Sequence, residues 1–137
     1  MILLLHTSAE VAHIGLAEEN RVVVEESFPV DRQFAAVLAP RLRDVLARHG
    51  YTTWSAVEGI VVYAGPEGFT SLRVGVATAN ALALALGVPV LGVTGDIRGL
   101  KDLWEGARHA LPPPGGVVLP RYAGPPKLGP VPARGKE

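Results

Sequence analysis

Apolar positions recur along this chain with two different periods, and where each period starts and stops marks out its elements. Ile2 to Leu5 is an unbroken aliphatic run, the pattern of a strand covered on both faces. Val11 to Ala17 alternates in places and reads as a second strand. Glu18-Glu19-Asn20 then makes a tight turn into a third, Arg21 to Glu26, built on Val22, Val23 and Val24. Asp31 is placed to N-cap a helix running to about His49, with Phe34, Leu38, Leu42 and Val45 as its core stripe and Gly50 as its stop. Thr53 caps a short turn at Trp54, Ser55 and Ala56, and Gly59 to Ala64 is a buried strand. Thr70 or Ser71 caps a long apolar helix that Gly87 ends. Val88 to Val93 is the fifth strand, and a last helix spans roughly Asp96 to His109.

The resulting order, βββαβαβα, constrains topology. The first three strands form an antiparallel meander, since only short turns separate them. The last two are reached through helices, so right-handed crossovers make them parallel to one another and to the first strand. A five-stranded mixed sheet with helices on its faces follows, an α/β arrangement of the ribonuclease-H-like kind found in actin, Hsp70 and sugar kinases. This reading assigns residues 1–110 to one domain. Residues 111–137 form a tail in which Pro and Gly make up half of Pro112 to Glu137, a composition that builds no packed element alone. Its VVLPRY piece is free to lie along the domain surface.

The second long helix departs from the usual surface pattern. Arg73, Thr78 and Asn80 are its only polar interior positions, whereas a surface helix shows a single apolar stripe. Leu72, Gly75, Val76, Ala79, Ala83 and Leu86 suit close packing on the sheet. Arg73, Ala77, Asn80, Ala81 and Leu84 lie away from that stripe and call for a second cover. On the first helix Ala36, Ala39, Arg43 and Ala47 lie opposite the core. Small residues there permit close helix approach, and an arginine suits an interface rim. A partner protein is the expected cover.

Composition removes several function classes. Lys plus Arg and Asp plus Glu are 13 each, so net charge makes no case for nucleic acid. The tail is nonetheless basic, with Arg121, Lys127, Arg134 and Lys136 against Glu137 alone. There is no cysteine, which excludes disulfides and thiolate chemistry. The N-terminus has no basic leader and only a short apolar run, so neither a signal peptide nor a membrane span is expected, and a cytoplasmic location is.

Catalytic constellations are sparse. His6, His13, His49 and His109 are scattered without a ligand spacing, so no metal site is expected. His6 ends the central strand at the sheet's carboxyl edge, where α/β ligands bind, and is expected to hydrogen-bond Thr7 or Ser8. Ser8 and Ser71 sit in no nucleophile elbow and read as turn or cap hydroxyls. Glu18, Glu19, Glu25 and Glu26 read as a solvated acidic edge that discourages strand addition. The Gly65 to Gly68 turn before a helix N-terminus offers a weak anion cradle without the lysine of a P-loop.

Gly65-Pro66-Glu67-Gly68-Phe69-Thr70-Ser71-Leu72-Arg73-Val74-Gly75-Val76-Ala77 resembles the GPGSFTGLRIGVA signature of the bacterial TsaB (YeaZ) family. The likeness continues through Ala79, Leu82 to Leu86, Gly87, Pro89 and Gly92 to Val93. Leu4-Leu5-His6-Thr7-Ser8 is similar to that family's LALDTS opening, and Leu119-Pro120-Arg121-Tyr122 to its C-terminal proline/tyrosine stretch. The resemblance implies a non-catalytic partner of TsaD which, with the TsaE ATPase, installs threonylcarbamoyl on a tRNA adenosine. It implies that the two long helices pack on the matching pair of TsaD, or on a second copy as a homodimer. tRNA would be reached only through the complex, with no cofactor and no peptidase activity. It also implies that the second actin-like half common in the family has been lost here. Three departures bear on nucleotide chemistry. His6 stands where the family has Asp, Glu67 and Ser71 replace glycines while Gly68 replaces Ser, and the second half that would wall a nucleotide cleft is missing. His6, Thr7, Ser8, Gly65, Gly68 and Thr70 are therefore expected to be vestigial phosphate-site turns. Two rivals remain: a kinase or ATPase-type enzyme using those turns around a nucleotide, and a diverged self-associating protein outside tRNA modification.

Overall fold

The computed structural model describes residues 1–67 and 69–121, so expectations placed on Gly68 and on 122–137 lie outside the described residues. Its strands are β1 (Ile2–Thr7), β2 (Val11–Glu18), β3 (Arg21–Pro29), β4 (Gly59–Tyr63) and β5 (Val90–Val93). Its helices are α1 (Phe34–Arg48), α2 (Thr70–Leu86) and α3 (Leu100–Glu105), with a 3₁₀ turn at Trp54–Ala56. The strands form one sheet in the order β3-β2-β1-β4-β5. β2 runs antiparallel to both β1 and β3, while β1, β4 and β5 run parallel. The meander and the crossovers are where the order of elements placed them, and the architecture is the ribonuclease-H-like α/β fold.

Alternation along the central strands sorts the two layers. Leu3, Leu5 and Thr7 face α1 and α2, and the Thr7 hydroxyl donates to Ser71 O at 3.1 Å. Leu4 and His6 face the other way, where the His6 ring meets Ile97 O just before α3. Every residue of β1 is buried, as a strand sandwiched between two helical layers must be. The α1 stripe Phe34, Leu38, Leu42 and Val45 is buried as its spacing requires, joined by Leu46. On α2 the buried set is Ser71, Leu72, Gly75, Val76, Ala79 and Ala83, with Leu86 half-buried at the end. Gly87 closes α2 in the left-handed conformation at φ 68, its N–H bonded to Ala83 O.

Several boundaries differ from expectation for identifiable reasons. Asp31 does not cap α1: its carboxylate accepts from Gln33 N–H at 2.8 Å in a preceding turn, and the helix begins at Phe34 with Gln33 at its N-cap. Neither Thr70 nor Ser71 caps α2. Phe69 occupies that position with no side-chain bond, and Ser71 is the second helical residue, its hydroxyl donating to Ser8 O at 2.6 Å. Thr53 likewise makes no cap bond to the 3₁₀ turn. α3 is far shorter than Asp96 to His109, because Asp96 pairs with Arg98 (3.3 Å) in a loop closed by Ile97 N–H on Gly95 O (3.0 Å). The acidic edge of β3 is also not simply solvated, since Glu26 pairs with Arg48 of α1 at 2.7 Å and lies 3.9 Å from Arg41.

Gly15 shows how the layers fix sequence. A Cβ there would collide with Val24 O on β3 and stand 2.7 Å from Leu100 Cδ1 of α3. Only hydrogen lets α3 sit down on the meander at that point.

Candidate functional site: the helix face and the carboxyl edge of the sheet

Two regions collect the residues singled out in the sequence. The first is the outer face of α1 and α2. Ala36, Ala39, Arg43 and Ala47 are exposed on α1, and Arg73, Ala77, Ala81 and Leu84 on α2. Leu84 is the extreme case at 85% exposed, a large aliphatic side chain held out on an otherwise small-residue surface. The two helices pack side by side on one face of the sheet, so these residues belong to one layer. Asn80 does not share this openness. Its amide donates to Val118 O and its carbonyl oxygen accepts from Val118 N–H, both at 2.8 Å. Sequence reasoning assigned Asn80 to the partner surface, whereas its hydrogen-bonding capacity is taken up by the chain's own later segment.

The second region is the carboxyl edge, where β1 and β4 end beside the start of α2. Thr7 and Ser71 stitch that helix to β1 through the two bonds already described. The Ser8 hydroxyl donates to Val11 O at 2.9 Å and accepts from Val11 N–H at 3.1 Å, closing the β1–β2 turn. Thr70 is exposed and makes no cap bond. Gly65 takes a positive φ of 108, and Glu67 N–H donates to Arg121 O at 3.2 Å. The hydroxyls of Thr7, Ser8 and Ser71 and the N–H of Glu67 are therefore bonded within the protein.

His6 is buried at 7% exposure. Its partner is neither Thr7 nor Ser8, as expected from sequence, but Ile97 O at 2.6 Å from Nε2. A carbonyl only accepts, so Nε2 carries the proton and Nδ1, buried without a partner, is bare. The ring stacks on Tyr63 with centroids 4.3 Å apart and stands edge-on to His13 at 6.0 Å. Burial is the main force holding the imidazole below its ordinary pKa, opposed by the Ile97 carbonyl and the nearby Glu67 carboxylate. Tyr63 is pushed upward, first by burial and then by Glu67 and Asp96. Stacked aromatics with one charge-averse imidazole make a structural plug. Among the described residues no group of three or more His, Cys, Asp or Glu is arranged to hold a metal ion. None of their helices is long and apolar enough to cross a membrane.

Sequence reasoning missed Tyr63, Ile97 and the backbone of Val118 and Arg121. The signal for the last pair was an Asn inside an apolar helix upstream of the apolar VVLP run of the tail, the piece already read as free to lie along the domain surface.

A family model described as TsaD, tRNA N6-adenosine threonylcarbamoyltransferase, matches residues 28–95. An uncharacterized protein of Mycobacterium tuberculosis is 36% identical over 94 residues, covering 67% of this chain and 44% of that protein. YeaZ from Pseudomonas aeruginosa superposes with a TM-score of 0.60 at 35% identity, over 68% of this chain and 43% of that one. A second P. aeruginosa structure, described as similar to peptidase YeaZ, gives 0.61 at 35% identity, over 68% of this chain and 42% of that one. The matches span less than half the length of each of these relatives. Over the stretch that they cover, the chain belongs to the TsaB/YeaZ-like family.

Proposed function

We propose that the protein is a non-catalytic association subunit in the tRNA threonylcarbamoyladenosine modification system, docking through the outer face of α1 and α2 on a TsaD-like protein. The observation that carries this reading is that face itself. Alanines at 36, 39, 47, 77 and 81 and the outstanding Leu84 leave room for a second helix pair to approach closely. Arg43 and Arg73 stand within it as rim anchors. The likeness to YeaZ and the TsaD family model supports this system over other associations. A TsaE-like ATPase joins through the complex, tRNA is met only there, and the chain alone forms a homodimer through the same face in the cytoplasm. The test is capture of purified TsaD-like protein by the full chain. A defined stoichiometric complex is expected, and no complex at roughly tens of micromolar would remove the proposal.

The same proposal includes the absence of catalysis by the chain alone. The internally bonded hydroxyls at the carboxyl edge and the Glu67 carboxylate beside the turn support it. Neither ATP nor peptide turnover is expected. Turnover lost in His6→Ala or Glu67→Ala would overturn this part while leaving the docking face untouched.

A further inference from the structure

Residues Val117 to Arg121 run as an extended segment on the same sheet face as α1 and α2, lying where β5 would otherwise be uncovered. Their exposure alternates: Val117 is 73% and Leu119 78% exposed, while Val118 and Pro120 turn inward. The segment is held almost entirely by its backbone. Asn80 takes both the N–H and the C=O of Val118, as a neighbouring strand would. Arg121 N–H donates to Ala64 O at 2.7 Å, and Arg121 O accepts from Glu67 N–H. One side chain is read as well. Val118 packs over Gly92, where a Cβ would stand 2.5 Å from Val118 Cγ1, and a Cβ on Gly65 would meet Arg121 O. Beside the segment, an apolar groove of about 300 Å³ lined by Asn80, Ala83, Leu84, Val88 and Gly116 stays open.

We infer that the cleft between α2 and β5 is a binding site for an extended peptide, which the protein fills with its own Val117–Arg121 as a releasable strap latched by Asn80. The inference stands on the chain's own contacts and does not depend on the TsaD reading. The groove recognises one N–H/C=O pair, a small branched side chain over Gly92 and a second backbone pair at the Gly65 turn. That is the recognition chemistry of strand addition, with a side-chain amide standing in for part of the strand edge. Release is local because the strap contributes two half-buried residues, Val118 and Pro120, whereas the fully buried side chains lie in β1, β2, β4 and the helices. The same release opens the Gly65 turn ahead of α2, since Arg121 bonds to both of its sides. Strap occupancy and the start of α2 are thereby coupled.

Hydrogen exchange on the full chain tests this directly. The amides of Val118 and Arg121 are expected to exchange together, about 100-fold or more faster than those of Ile60 and Ala64 in the β4–β5 ladder. Asn80→Leu, which removes the latch at similar volume, should speed the strap amides a further ~10-fold and leave the ladder amides unchanged. A peptide with the sequence of Gly116–Arg121, capped at both ends and added in the millimolar range, should accelerate Val118 exchange by competing for the cleft. Strap amides that exchange at the ladder's rate would overturn the strap. An unresponsive Arg121 in Asn80→Leu would overturn the latch, and no effect of the peptide would overturn the cleft as a site.

Discussion

His6 places an ionisable ring where ionisation is unwelcome, and this gives the protein a pH signature. Its Nε2–H is committed to Ile97 O, its bare Nδ1 is buried, and Tyr63, His13 and Glu67 are its titratable neighbours. The folded protein holds the imidazole below the ordinary 6.5, so the unfolded chain takes up the proton first. Stability is therefore full above pH 6.5 and is lost as pH falls through the lowered folded value. Urea midpoints measured across that acid window should decline in the wild type. His6→Gln keeps a donor for Ile97 O without titrating, and should flatten the decline at a cost of about 1 kcal/mol near neutrality. An unchanged slope in His6→Gln would assign the pH dependence to other groups. The position of His6 was legible from sequence, because a polar residue ending an aliphatic run must lie at the strand's carboxyl edge. Its bond to Ile97 was not, since the partner lies 91 residues away and no local pattern encodes it.

Elements were legible in proportion to their length and apolar coverage. α1 and α2 each repeat a buried stripe over several turns, and the observed stripes match the spacing. The caps misled because Asp31 and Ser71 have other bonds available, Asp31 to Gln33 N–H in the preceding turn and Ser71 to Ser8 O in the β1–β2 turn. α3 was misread for a related reason. Asp96 and Arg98 resemble helix-start chemistry but satisfy one another, and the helix waits until Leu100. Its seat against the meander is nonetheless tightly specified. Gly15→Ala would drive a methyl group into Val24 O and Leu100 Cδ1 beside the register shift at Leu16/Ala17. Neither contact yields easily, one being backbone and the other a fully packed side chain. The substitution should destabilise the fold by about 3 kcal/mol, the upper end of the usual overpacking cost. A denaturant midpoint within error of wild type would mean that β3 and α3 move apart freely.

At the scale of the molecule, the order of elements was enough to give the strand directions, because short turns make antiparallel neighbours and helical crossovers make parallel strands, whereas the place of β4 between β1 and β5 comes from the structure. What the order left open was how β5 is covered and which of the polar residues on α2 look outward. Asn80 turned inward to Val118, so the outward face narrows to Arg73, Ala77, Ala81 and Leu84 beside the alanines of α1. Ala77 sits on this face, exposed, one turn beyond Arg73 and one turn before Ala81. It does not touch the sheet, so Ala77→Arg should leave the circular dichroism spectrum and the denaturant midpoint near those of wild type. On the proposed reading, wild-type protein is a dimer at roughly tens of micromolar, and a helix-pair interface of standard size buries about 800 Å² per partner. An arginine there would bring bulk and a second positive charge beside Arg73 into a desolvated contact. A buried unpaired charge costs several kcal/mol, roughly the difference between a micromolar complex and none detectable. Sedimentation should therefore show a folded Ala77→Arg monomer that also fails to capture a TsaD-like protein. A folded variant that still dimerises and still captures its partner would move the interface off α2 altogether.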